Sequence, residues 1–155
     1  MRVYRIERKR YLSTTLEGIG ASLSSGFRWN SQYTRLVYTA ESRALSMLEV
    51  AVHLDWSEDF PNDRYFVEID IPDDILILAV QSQDLPVDWD SKPPVKTTQY
   101  IGDTFVQRHE AVVLKVPSAI VPFEYNYLIN PLHPDARRIR VVQSTRMVFD
   151  ERFRA

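Results

Sequence analysis

The stretch ALSMLEVAVHL, residues 44–54, leaves a chain little choice. Apolar side chains at 44, 45, 47, 48, 50, 51, 52 and 54 give a helix almost no polar face, so it must be mostly buried against a larger apolar layer. Within that wall stands Glu49, and a carboxylate there costs free energy unless something pairs with it. Two readings are open. Glu49 is either a charge at the rim where the helix meets solvent, locally paired with His53 one turn on, or a charge held in place for chemistry.

The rest of the chain supplies the layer. Arg2 to Ile6 alternates as a strand, with Val3 and Arg5 on one face and Tyr4 and Ile6 on the other. Residues 13–31 read as a long polar loop ending in SSGFRWNS, the kind that carries function. Residues 36–39 form a short strand leading into a helix over 41–54, with Thr39 suited to the N-cap and Glu41 to the first turn. FVEIDI (66–71) and ILILAV (75–80) read as strands split by the turn signal PDD. The prolines of 87–99 argue against regular structure there, 100–110 reads as a short helix, and AVVLKV (111–116) as a buried strand. Residues 117–134 read as a proline-punctuated irregular stretch, and 138–150 as one or two strands. Short strands, few helices and long loops make this an α+β chain.

Composition then removes whole classes of function. At 155 residues and 45% hydrophobic content the chain forms one domain, 1–155, burying about two thirds of its unfolded surface. A net charge of −2 argues against general affinity for nucleic acid or an anionic membrane. Without cysteine there is no thiolate nucleophile and no cysteine-based zinc site. The charged start MRVYRIERKRY does not suit a signal peptide, and no apolar run is long enough to span a bilayer, so the expected location is the cytoplasm. GIGASL (18–23) lacks the third glycine and the βαβ setting of a dinucleotide loop. His53, His109 and His133 lack the i, i+4 spacing of a helical metal pair, and His133 in NPLHP reads as a turn residue. Arg28 beside Trp29 is, on its own, more often a packing stack than a phosphate clamp.

Six segments nevertheless carry a resemblance: VYRI (3–6), SGFRWN (25–30), VYTAESRALSMLEVAVHL (37–54), TQYIGD (98–103), VPSAIVPFEYNYLINPLHP (116–134) and FDERF (149–153). In that order they resemble RES-domain proteins, the toxin half of bacterial Xre-RES toxin–antitoxin modules. The family's GRWN is FRWN here, and Thr97 stands where a serine often precedes TQYIGD, so the family serine is placed at Ser118.

The resemblance implies a fold similar to the ADP-ribosyltransferase toxins and an enzyme that cleaves the nicotinamide–ribose bond of NAD+, as a glycohydrolase or phosphorylase. It implies Glu49, Arg5, Tyr38 and Ser118 as the catalytic group, with Ser118 hydrogen-bonding the substrate or Glu49. Arg5 and Arg28 grip the diphosphate, Tyr38 stacks at the nicotinamide, and Trp29, Asn126 and Asn130 support NAD+. NAD+ enters as substrate, with no other cofactor and no metal. The implied partner is an Xre-type antitoxin in a hetero-oligomer, with no direct nucleic-acid binding by this chain. The alternatives are a protein ADP-ribosyltransferase toxin, a toxin ribonuclease using His133 or His109, and a non-catalytic binding domain in which Glu49 and Arg5 form a structural ion pair.

Overall fold

Alternation at the start of the chain builds a strand, β1 (Arg2–Arg8), whose Val3 is fully buried and whose Ile6 is buried on the opposite side. Two buried faces on one strand require covering layers above and below the sheet. The computed structural model describes residues 1–58 and 60–154, and within them the α+β architecture is a mixed seven-stranded sheet with few helices. After β1 come a short helix α1 (Ile19–Leu23), the paired strands β2 (Gly26–Phe27) and β3 (Asn30–Ser31), strand β4 (Val37–Ala40) and helix α2 (Arg43–Ala51). Then follow β5 (Arg64–Asp70), β6 (Ile77–Ala79), α3 (Lys96–Arg108), β7 (Val113–Pro117), β8 (Tyr125–Ile129) and β9 (Arg140–Met147). The sheet order is β6-β7-β8-β4-β1-β5-β9, antiparallel throughout except for the β6–β7 pair.

Register decides which side chains share a face, because directly opposed residues point the same way. Tyr4 lies opposite Ala40, Ala40 opposite Asn126, and Tyr38 opposite Leu128. Tyr4, Tyr38, Ala40 and Asn126 therefore stand on one face, and Val3 and Arg5 stand on the other. The first face is covered by two helices. Under α2 lies a cluster built on Ile6, Ala51, Met147 and Phe149, and under α3 a cluster of Trp29, Phe105, Leu114, Val116 and Leu128. On the far face Val3, Val37, Val67 and Ile69 join Tyr127 and Ile129, with Leu12 and Leu16 of the segment after β1 packed against them.

Several expected elements differ. The helix read over 41–54 is shorter, and Ser42, not Thr39, caps it, its Oγ accepting from the Leu45 amide at 3.0 Å. Thr39 instead sits inside β4, donating to the Tyr127 carbonyl at 2.7 Å, and Glu41 takes the Tyr125 amide at 2.8 Å. Leu45, Ser46 and Ala51 are buried, but Leu48 and Val52 are 36% and 45% exposed, so a mostly buried helix is corrected to a half-covered one. The helix α3 starts at Lys96 rather than Tyr100. Pro93 and Pro94 precede it, where they block nothing, since proline is costly only where a helix needs its N–H. The irregular reading of 117–134 misses β8, a fully flanked strand between β7 and β4. The loop read over 13–31 contains α1, β2 and β3, and the strand read over 75–80 contracts to β6.

Candidate functional site

The site assembles around Glu49 on α2, which the sheet face brings opposite β8 and the end of β7. Ser118 follows β7 and enters a turn in which its Oγ accepts from the amides of Ile120 and Val121, both at 3.1 Å. With its lone pairs occupied, the hydroxyl donates to Glu49 Oε1 at 3.0 Å. Asn126 of β8 donates its Nδ2 to the same oxygen at 2.7 Å. Oε1 thus receives two donors while Oε2 has no hydrogen-bond partner among the described residues. The Asn126 Oδ1 is buried and also unpartnered. Glu49 is half-buried, and its orientation is fixed at once from the turn after β7 and from β8. His53, the local partner considered above, is exposed and makes no ion pair with Glu49 among the described residues.

Tyr38 projects from β4 onto the same face. Its hydroxyl donates to Asn30 Oδ1 at 2.5 Å and accepts the Trp29 amide at 3.2 Å. Burial pushes the phenol's pKa far up, the Trp29 amide pulling against this, so the ring is neutral at any physiological pH. The ring of Phe27 meets it edge-on at 5.6 Å. Asn30, fully buried, holds this arrangement by donating Nδ2 to the Ala21 and Ser31 carbonyls. No role is read for Asn30 from the sequence, although it lies inside SGFRWN.

Arg28 sits between β2 and β3. Its Nη1 donates to the carbonyls of Trp89 (2.8 Å) and Ser91 (3.0 Å), leaving Nε and Nη2 without partners among the described residues. Desolvation lowers the guanidinium's pKa, and the charges of Asp90 and Glu49 oppose that shift, so Arg28 is the cation within the field of Glu49. Backbone carbonyls carry no residue signature, so nothing in the stretch 87–99 could have pointed to this contact.

Arg5 is placed elsewhere, which corrects its membership of the catalytic group. Strand alternation puts it on the far face of the sheet from Tyr38 and Asn126. There its Nη2 pairs with Glu7 at 3.1 Å, two residues along the same strand face, and Thr15 donates to that same carboxylate oxygen. Burial lowers its pKa, Glu7 offsetting part of the shift, and its Nε is buried without a partner. Among the described residues Arg5 pairs with Glu7 and not with Glu49, so the structural ion pair considered for Glu49 and Arg5 is not formed there. Because Glu7 loses its cation, Arg5→Met is expected to cost about 2 kcal/mol of stability in urea unfolding.

The remaining candidates divide clearly. Trp29 is 2% exposed, its ring committed to the core under α3 beside Trp89 at 6.1 Å, and only its amide serves the site. Of the residue expected to support NAD+, the structure thus places the side chain in the core and the backbone N–H at Tyr38. Asn130 is fully buried, donating to the Val106 carbonyl and accepting from the Leu132 amide, as a turn residue does. His133 caps a 3-10 turn (Pro134–Arg138), its Nδ1 accepting from the Asp135 amide while Nε2 meets the His109 carbonyl. With Nε2 facing a carbonyl and Nδ1 accepting an amide, neither nitrogen has a free lone pair in this arrangement, which is what a general base needs. Two surface grooves lie away from the Glu49 group and share no residue with it. One, of about 330 Å³, runs along α3 between Leu78 and Tyr100, and the other, of about 450 Å³, lies by Asp70 and Arg137.

Known proteins share this chain's sequence and shape. The family described as RES domain matches residues 2–150. The "Prs ADP-ribosylating toxin" of Sphingobium sp. is 41% identical over 146 residues, covering 93% of this chain and 89% of the relative. A "Toxin Res" of Yersinia enterocolitica is 37% identical over 155 residues, covering 99% of this chain and 100% of the relative. In fold, the chain is similar to a chain in the crystal structure of the M. tuberculosis MbcT–MbcA toxin–antitoxin complex, with a TM-score of 0.76 at 18% identity, over 95% of this chain and 84% of that one.

Proposed function

The chain belongs to the RES-domain family, and from that premise we propose that it is a toxin that cleaves the nicotinamide–ribose bond of NAD+. The observation that carries this reading is the Glu49 carboxylate, with one oxygen held by Ser118 and Asn126 and the other without a partner among the described residues, beside an arginine and a neutral tyrosine. When the bond breaks, its electron pair leaves with the nicotinamide nitrogen and the ribosyl carbon becomes cationic, as in glycoside hydrolysis. A fixed carboxylate on that side stabilises the developing charge, and its unpaired oxygen can accept a ribose hydroxyl. Arg28 offers its unused N–H donors to the diphosphate, for which guanidinium geometry is suited. The phenol ring of Tyr38 lines the place of the departing nicotinamide. A water, a phosphate or a protein side chain then takes the ribosyl carbon. No step in this scheme asks for a metal or a second cofactor.

Chemistry of this kind in a living cell calls for an inhibitor, and the toxin–antitoxin complex that shares the fold supports an antitoxin partner, which we assign to the Xre type. Among the described residues no helix is long and apolar enough to cross a membrane, in keeping with a cytoplasmic pool of NAD+ as the target. Following NAD+ over time with purified, partner-free protein, with and without phosphate, tests the proposal. Loss of NAD+ is expected, and a rate that rises with phosphate names the acceptor. Intact NAD+ in the presence of folded protein would overturn it.

The name of the Sphingobium relative favours a second reading, transfer of ADP-ribose to a protein. A stable mass gain of one ADP-ribose on a co-incubated protein selects transfer, and NAD+ loss without such a gain selects cleavage.

A further inference from the structure

The segment TQYIGD takes no part in the chemistry proposed above, yet it forms the middle of α3. Gln99, Gly102 and Asp103 stand at i, i+3 and i+4 and so share one side of the helix. Each of them meets the β2–β3 hairpin. Gln99 Nε2 donates to the Phe27 carbonyl at 3.1 Å. Asp103 accepts the Ser31 amide on Oδ1 at 3.0 Å and the Ser31 hydroxyl on Oδ2. Gly102 lies so close beneath the hairpin that an added Cβ would fall 1.6 Å from the Trp29 carbonyl oxygen. The helix thus grips the hairpin at Phe27 and at Ser31, on either side of the three residues the site draws on: Arg28, the Trp29 amide and Asn30.

The hairpin depends on this grip because it has little of its own. Its ladder is two residue pairs, Gly26 with Ser31 and Phe27 with Asn30, and a ribbon of that length is not stable alone in water. Its position relative to the sheet is set by what it docks on. Asp103 makes the only charge-assisted bonds in the grip among the described residues, and these are the stronger kind.

We infer that Asp103 is a positioning residue, which clamps the β2–β3 hairpin onto α3 and thereby holds Arg28 where the diphosphate of a dinucleotide substrate must sit. This rests on the proposed NAD+ reading for what Arg28 grips, but not for the clamp itself. Arg28 would hold the diphosphate equally before and during bond cleavage, so loosening it should raise KM and leave kcat nearly alone.

The experiment compares wild type, Asp103→Ala, Asp103→Asn, Arg28→Ala and the Asp103→Ala/Arg28→Ala double variant, reading NAD+ consumption, amide hydrogen exchange and melting temperature. Asp103→Ala is expected to raise KM for NAD+ about tenfold, change kcat by less than about threefold, and speed exchange of the Arg28 and Ser31 amides at a near-parental melting temperature. Asp103→Asn, which keeps an acceptor for the Ser31 amide, should recover most of the KM. In the Arg28→Ala background, adding Asp103→Ala should cost almost nothing more, since coupled residues are not additive. Parental exchange rates in Asp103→Ala, or full multiplication of the two losses in the double variant, would overturn the inference. If the wild type leaves NAD+ intact, the proposed function falls, whereas exchange at the hairpin still decides the clamp.

Discussion

Glu49→Gln melts at the temperature of the parent and loses NAD+ consumption by about a thousandfold, an expected result that separates a catalytic carboxylate from a structural one. The substitution keeps the shape. A glutamine carbonyl oxygen in the place of Oε1 still accepts from Ser118 Oγ and Asn126 Nδ2, so the contacts that tie α2 to β7 and β8 survive. What disappears is the negative charge facing a cation that exists only near the transition state, and an interaction of that kind appears in kcat rather than in substrate affinity. A drop in melting temperature of many degrees would identify Glu49 as part of the scaffold, and retained turnover in a folded variant would remove it from the mechanism.

Arg28→Ala is expected to lower kcat/KM for NAD+ by about a hundredfold, or about 2.7 kcal/mol, most of it in KM. The residue gives two donors to the protein and keeps the rest of its fork, so it is anchored without being consumed. Truncation removes both the proposed grip on a doubly charged diphosphate and a cation whose charge acts on Glu49. Arg5 is the informative control. On the far face, its loss should weaken the fold and leave the kinetics of the folded fraction as they are. Equal kinetic losses at 5 and 28 would contradict the register of β1 against β4.

Those two arginines show where sequence reasoning runs out. The alternation of β1 correctly puts Arg5 on the face of Val3, but a period of two has no absolute sense until the strand is paired. Only the Tyr4–Ala40 and Ala40–Asn126 pairings reveal that this is the face away from Glu49. The Ser118–Glu49 hydrogen bond is one of the two contacts the family resemblance implies for that serine, whereas spacing along the chain could not show that Asn126 joins the same oxygen, because the three come together from α2, the turn after β7, and β8. β8 itself hid behind prolines at 122 and 131 that flank it without entering it. α2 misled in the other direction. Its composition demands burial on nearly every side, whereas a single sheet can cover only one, and Leu48 and Val52 remain in solvent. Trp29 shows that an aromatic next to an arginine can belong to the core while the arginine belongs to the site.

The turn after Ser118 bears on how such a protein can vary over time. Its hydroxyl is aimed at Glu49 because two peptide N–H groups, those of Ile120 and Val121, occupy its oxygen from behind. Every amino acid but proline supplies that group. Ala119 to Pro122 can therefore drift in identity, meeting whatever a changing partner or solvent demands of the surface, while the serine they orient keeps its aim. Heredity at this corner of the molecule is carried by the path of the main chain and by the exclusion of one residue type at two positions.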